Sequence, residues 1–136
     1  LVKTPKLYML DTGLCAFLTQ WPTAAVLEAG AMAGAFFETW CITEILKSYY
    51  NSGKTRPALF FYRDKDMKEI DLLIEQNGKL YPVEFKKSSS PSRDDCRHFQ
   101  VLERFKKELG MGAVVCMYPE VFPNGENCRF IPAPLL

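Results

Sequence analysis

An Asn77-Gly78 pair stands between two runs of alternating polar and apolar residues, Glu69 to Glu75 and Lys79 to Lys86. Asn-Gly best tolerates the positive φ angles of a two-residue type I′ turn, so the stretch predicts a β-hairpin. Successive side chains of a strand point to opposite faces. Glu84 and Lys86 are therefore expected on one face, with Val83 and Phe85 on the other. On the first strand Ile70, Leu72 and Ile74 are expected together, opposite Asp71 and its neighbours Glu69, Leu73 and Glu75. If the polar faces coincide, Asp71, Glu84 and Lys86 converge.

Two carboxylates and an amine on one patch suit metal-dependent phosphodiester cleavage. Hard cations such as Mg²⁺ take one or two carboxylates plus water and phosphate oxygens, and the lysine orients or activates the attacking water. The same residues also fit a solvated strand face on which Glu84 and Lys86 form a surface ion pair, worth roughly 0–1 kcal/mol. Spacing alone leaves both readings open.

The chain has 136 residues, 48% of them hydrophobic, enough for one domain with a real core. A formal charge of +1 argues against a dedicated, strongly basic nucleic-acid binder. Five scattered cysteines, odd in number and mostly in apolar stretches, suit reduced thiols in a cytoplasmic protein. They lack zinc-type spacing. No apolar run approaches the roughly 18 residues of a membrane span.

Lys6 to Leu10 reads as a strand or extended arm, and Asp11-Thr12-Gly13 as the cap of a short helix from Leu14. Asp-Thr-Gly is also the aspartic-protease signature, but only one copy occurs and the helical patterns downstream do not suit that all-β fold. Thr23 is expected to cap a helix from Ala24 to Ala29, ended by Gly30. The longest helix is expected from Ala35 to Tyr50, opened by Gly34, with Ala35, Ile42, Ile45 and Tyr49 on its apolar stripe. Glu38 falls on that stripe. An ionised acid on a buried face needs a cation, a metal or a donor network.

Ala58 to Tyr62 reads as a strand ahead of the hairpin, and Arg63 in the following turn is a candidate phosphate contact. Ser92 with Asp95 offers a capping box for a second long helix, Ser92–Leu109, with Cys96, Phe99, Leu102, Phe105 and Leu109 as its stripe. Ala113 to Tyr118 reads as a strand buried on both faces. It closes a βαβ crossover and is expected parallel to the Glu84 strand. Lys86, Lys87, Arg93, Arg97, Arg104, Lys106 and Lys107 outnumber the acids of this stretch, as a phosphate-facing patch or a solvated helix face. His98, the only histidine, is expected at the surface. Cys128 to Ile131 is expected as an edge strand or docked tail.

Asp71 followed across a short hairpin by Glu84-Phe85-Lys86 resembles the core motif of the PD-(D/E)XK nuclease superfamily. The string Pro5-Lys6-Leu7-Tyr8-Met9-Leu10-Asp11-Thr12-Gly13-Leu14, with Phe37-Glu38, Glu44-Ile45-Leu46-Lys47, Tyr62-Arg63-Asp64 and Glu69-Ile70-Asp71, is similar to the uncharacterised domain that follows the nucleotide-binding module of many prokaryotic AAA-type ATPases. The resemblance spans nearly the whole chain. It implies an α/β, restriction-endonuclease-like mixed β-sheet flanked by helices, and an ATPase module upstream in the same protein. It further implies Asp71 and Glu84 as ligands of Mg²⁺ or Mn²⁺, Lys86 as the residue that handles the water, and Glu38 beside the metal. Gln100 corresponds to an auxiliary polar residue of some relatives, while Arg63 and Lys87 are candidate substrate contacts on the charge pattern alone. Residues 1–136 are thus expected to be one domain, the C-terminal piece of a longer protein.

Two functions follow as expectations: a metal-dependent nuclease, or a non-catalytic module of the same fold that binds nucleic acid or a protein. Clustered acids repel, so Lys86 is expected as internal counter-ion, with at least one carboxyl pKa raised.

Overall fold

The structure is a computed structural model that describes residues 4–136. Three α-helices come first: α1 (Thr12–Leu18), α2 (Ala24–Ala29) and α3 (Ala33–Asn51). Then come β1 (Leu59–Arg63), β2 (Glu69–Gln76), β3 (Lys79–Lys86), a 3₁₀ helix (Arg93–Phe105), β4 (Glu108–Leu109), β5 (Gly112–Cys116), β6 (Phe122–Pro123) and β7 (Cys128–Pro132). The strands form one mixed sheet in the order β1-β2-β3-β5-β7-β6, with β4 paired to β3. The β1-β2-β3 meander is antiparallel, whereas β3-β5 and β5-β7 are parallel.

The caps form where the side chains offer them. Asp11 accepts the Leu14 N–H at 2.8 Å and Thr23 the Val26 N–H at 3.2 Å. Asp-Thr-Gly is thus a helix cap. Ser92 and Asp95 close the expected capping box, with the Ser92 N–H 2.7 Å from the Asp95 carboxylate. Asn77 and Gly78 take φ of 53° and 78°, the paired positive values of a type I′ turn. Residues 4–10 form no regular element, so the expected strand over Lys6–Leu10 is an irregular arm.

Sheet faces alternate along β5. Val114 and Cys116 join Tyr62, Ile70, Leu73, Phe99, Leu102 and Phe130 under the 3₁₀ helix, while Val115 joins Cys41, Ile42, Leu72, Val83 and Phe85 under α3. The two long helices therefore cover opposite faces. On α3 the buried residues are Cys41, Ile42 and Thr43, with Phe37, Trp40 and Ile45 packed beside them. Ala35, expected on the stripe, is exposed.

The second helix differs from expectation in pitch and length. It is wound as a 3₁₀ helix and stops at Phe105, where Lys106 takes the left-handed conformation. Cys96, Phe99, Leu102 and Phe105 are spaced by three, and a helix of three residues per turn lines them up on one ridge. Leu109 lies instead in β4, opposite Leu80. The tail also differs: β7 is an inner strand between β5 and the two-residue β6.

Candidate active site

The Asp71 side chain owes its position to a β-bulge. Phe60 stands opposite Leu73 but Tyr62 opposite Ile70, so two steps along β1 match three along β2, and the extra residue falls at Asp71-Leu72. The bulge reverses the face assignment beyond it. Leu72 and Ile74 pack under α3, whereas Ile70 lies on the opposite face with Leu73. The expected set of Ile70, Leu72 and Ile74 on one face therefore does not form.

Pairing between β2 and β3 runs from the turn only to Leu72 and Val83. Past that point the Asp71 carboxylate takes the place of a main-chain acceptor and receives the Phe85 N–H at 3.0 Å. The carboxylate is thereby held where the two strands part. Glu84 and Lys86 stand in register with Val114 and Cys116, which puts them on the 3₁₀-helix face of β3, opposite Val83 and Phe85 as the alternation predicts.

Glu84 is only 5% exposed. Its Oε2 lies 3.3 Å from Lys86 Nζ, while its Oε1 is buried with no hydrogen-bond partner among the described residues. Burial and the neighbouring charge of Asp71, opposed in part by Lys86, push the Glu84 carboxyl up to about 8. Burial also raises Asp71, against the Phe85 N–H, and the charge of Glu38 adds to the rise. A raised carboxyl is what two adjacent acids produce when they lack a full counter-charge.

On the other side of Asp71 the arm intrudes. Lys6 Nζ lies 2.9 Å from Glu38, forms an ion pair with Glu69, and is 3.8 Å from Asp71. Tyr8 Oη donates to the same Glu38 oxygen at 2.8 Å. Burial disfavours the Lys6 ammonium, but hydrogen bonds to Glu69 and Glu38 outweigh it and its pKa rises. Lys6, Tyr8, Glu38, Arg63, Glu69 and Asp71 line one open cavity of about 470 Å³. The internal counter-ion expected of Lys86 alone is thus divided: Lys86 serves Glu84, and Lys6 serves Glu38, Glu69 and Asp71.

The other candidates are dispersed. Arg63 reaches the cavity but is paired with Glu69 at 2.7 Å. Lys87 donates to the Glu28 carbonyl at 3.0 Å and lines a separate apolar cleft. Gln100 is exposed on the 3₁₀ helix and borders a third cavity with Pro82, Cys96 and Asn124. His98, expected at the surface, is half-buried, with Nδ1 3.3 Å from the Glu69 carbonyl oxygen. Of the basic residues after Lys86, Arg104 donates to Tyr62 Oη and Lys107 to Glu75. Lys6, Tyr8 and Glu69 were missed as site residues. Lys6 and Tyr8 lie in an irregular arm, so no periodicity marks them.

Among the described residues no group of three or more His, Cys, Asp or Glu side chains is arranged to hold a metal ion. Two carboxylates meet the lower requirement of a hard cation that keeps water and phosphate ligands. The buried, unpartnered Oε1 of Glu84 beside Asp71 is an oxygen donor of the right kind. The residues therefore fit Mg²⁺ or Mn²⁺. Among the described residues no helix is long and apolar enough to cross a membrane.

The chain is 29% identical over 133 residues to uncharacterised proteins of Mycobacterium bovis and Mycobacterium tuberculosis. The match covers 96% of this chain but 28% of either relative. No solved structure matches the chain significantly. The family model for a domain of unknown function, DUF4143, matches residues 33–136, and the chain belongs to that family.

Proposed function

We propose that this domain is a metal-dependent nuclease that hydrolyses nucleic-acid phosphodiester bonds, with Asp71 and Glu84 as ligands of Mg²⁺ or Mn²⁺. The observation that carries the reading is the buried Glu84 carboxylate, its Oε1 without a hydrogen-bond partner among the described residues and its Oε2 on Lys86, beside the half-buried carboxylate of Asp71. When bound, the ion supplies Lewis-acid stabilisation of the attacking hydroxide and of the charge developing on phosphorus. Asp71 presents its carboxylate from a fixed position, because the Phe85 N–H holds one oxygen. Lys86, 41% exposed at its side chain, extends from Glu84 toward solvent, where its ammonium donates a hydrogen bond that orients the attacking water. Glu38 acts at one remove, through Lys6. Arg63 contacts a substrate phosphate only by exchanging its partner Glu69.

The resemblance to AAA-type ATPase C-terminal domains, and relatives much longer than the chain, support an ATPase module elsewhere in the same protein. A restriction-endonuclease-like fold is supported by the mixed sheet, its hairpin and the helices on both faces.

The test is a cleavage assay with end-labelled single- and double-stranded DNA and RNA. At least one substrate is expected to be cut in millimolar Mn²⁺ and spared in EDTA. Four intact substrates would sink catalysis.

A second reading, a non-catalytic binding module, is favoured by the apolar cleft among α1, α2 and α3. Phe17, Trp21, Phe36, Phe37 and Trp40 line its volume of about 770 Å³. Aromatic faces of this kind stack unpaired bases or dock apolar side chains. Oligonucleotide binding that persists in EDTA with no cleavage in Mn²⁺ would favour this module.

A further inference from the structure

Both tryptophans of the chain, Trp21 and Trp40, line the apolar cleft among α1, α2 and α3. Two parts of its wall are fixed from behind. Phe37 and Trp40 pack on the core under α3. Trp21 rests against Gly30, where an added Cβ would come within 2.6 Å of Trp21 Cζ3, so the missing side chain is what seats the indole. Phe17 faces them from α1 and is 77% exposed. The cleft thus has a rigid aromatic side and an open aromatic side.

Among the described residues the charged part of the lining is Lys87 with Glu28. Lys87 donates to the Glu28 carbonyl at 3.0 Å and stands 3.8 Å from the Glu28 carboxylate, which is 72% exposed. An ammonium has three donors, and an exposed ion pair of this kind contributes little, so an incoming anion displaces the carboxylate readily.

The end of β3 joins this cleft to the carboxylates. Lys86 and Lys87 are consecutive, with Cα atoms about 3.8 Å apart. Alternation sends Lys86 to Glu84 and Lys87 to the cleft. Phe85, one step earlier, holds Asp71 with its N–H and packs in the same core as Phe37 and Trp40. A polyanion lying on Lys86 therefore meets Lys87 next, beside the aromatic wall.

We propose that the cleft is a subsite for an unpaired base next to the scissile phosphate, with Lys87 on the neighbouring phosphate, so that the substrate is single-stranded nucleic acid. This rests on the hydrolytic role proposed for Asp71, Glu84 and Lys86. A base inside a duplex is stacked on both faces and reaches such a cleft only by leaving the stack. An unpaired base stacks on aromatic rings whatever its identity, and a volume of about 770 Å³ is ample for it. An apolar peptide would fill the same volume but would use neither the Lys87 cation nor the continuity with Lys86.

Tryptophan fluorescence in EDTA tests this without cleavage, because both indoles are in the cleft. Oligothymidylate or oligouridylate is expected to quench it, whereas an abasic strand of equal length and a base-paired duplex leave it unchanged. Phe17→Leu keeps apolar bulk but removes the ring, and is expected to weaken binding by about tenfold. Phe17→Tyr keeps the ring and should bind like wild type. In Mn²⁺ the unpaired strand should be cut in preference to the duplex, and Phe17→Leu should lower its rate at subsaturating strand by the same factor. Equal quenching by the abasic strand or the duplex, or equal affinity of Phe17→Leu and wild type, would overturn the base subsite; Mn²⁺-dependent cleavage that survives beside such a result leaves the metal site standing. Quenching that requires a base, with no cleavage in Mn²⁺, would keep the cleft as a base site and remove the hydrolytic reading. Fluorescence unmoved by every strand would overturn the assignment and leave the cleft to an apolar protein partner.

Discussion

In a Glu84→Gln chain, Mn²⁺-dependent cleavage is expected to fall by at least about 10²-fold while the folded state becomes more stable at pH 8. The loss follows from the ligand. A Lewis acid contributes several kcal/mol to the transition state, and about 1.4 kcal/mol is tenfold in rate. The gain follows from linkage. Burial, then the charge of Asp71, raises Glu84 from 4.5 to about 8, so between those values the folded chain holds a proton that the unfolded chain releases. Stability is full below about 4.5 and declines as pH rises toward 8. Glutamine stays neutral throughout, which removes the decline and adds on the order of a few kcal/mol at pH 8. Urea melts at pH 5 and pH 8 check the stability, and end-labelled substrate checks the rate. Equal slopes of stability against pH in the two chains would contradict the burial argument.

Leu102→Ala is expected to cost about 2–5 kcal/mol, a large share of the roughly 5–15 kcal/mol available to a domain. Leu102 has no exposed surface and sits with Phe99 on the buried ridge of the 3₁₀ helix, against the core that includes Tyr62, Ile70 and Val114. Deleting its branched methyls leaves a cavity that a helix wound on i to i+3 bonds closes poorly. Chemical denaturation measures the cost. A loss below about 1 kcal/mol would mean that the ridge repacks freely.

Local chemistry made the hairpin and the caps legible in the sequence. Asn77-Gly78 names its own turn, and Asp11, Thr23 and Ser92 each satisfy an N–H two or three residues on. The pitch of the second helix is also written there, in apolar residues spaced by three from Cys96 to Phe105, although extending the stripe to Leu109 suggests an α-helix. The face of Asp71 was not legible. A bulge is defined by the register of β1 on β2, a relation between two strands that alternation within one strand does not contain. Lys6 was illegible for a similar reason: it meets Glu38 across 32 positions, from an arm with no regular periodicity. Conflict between local pattern and charge nevertheless marked Glu38, Asp71 and Glu84, and sites of function are where such conflicts collect.

The central claim is that Asp71 and Glu84 together hold one divalent ion, and a calorimetric titration of Mn²⁺ into wild type and Asp71→Ala at pH 8 tests it most directly. That pH is near the raised value of Glu84, so the ion does not first have to displace a tightly held proton. Wild type is expected to bind one ion per chain, and Asp71→Ala, still folded by circular dichroism, to give no binding heat in the same range. Equal binding by both chains, or no binding by wild type in millimolar Mn²⁺, would contradict the claim.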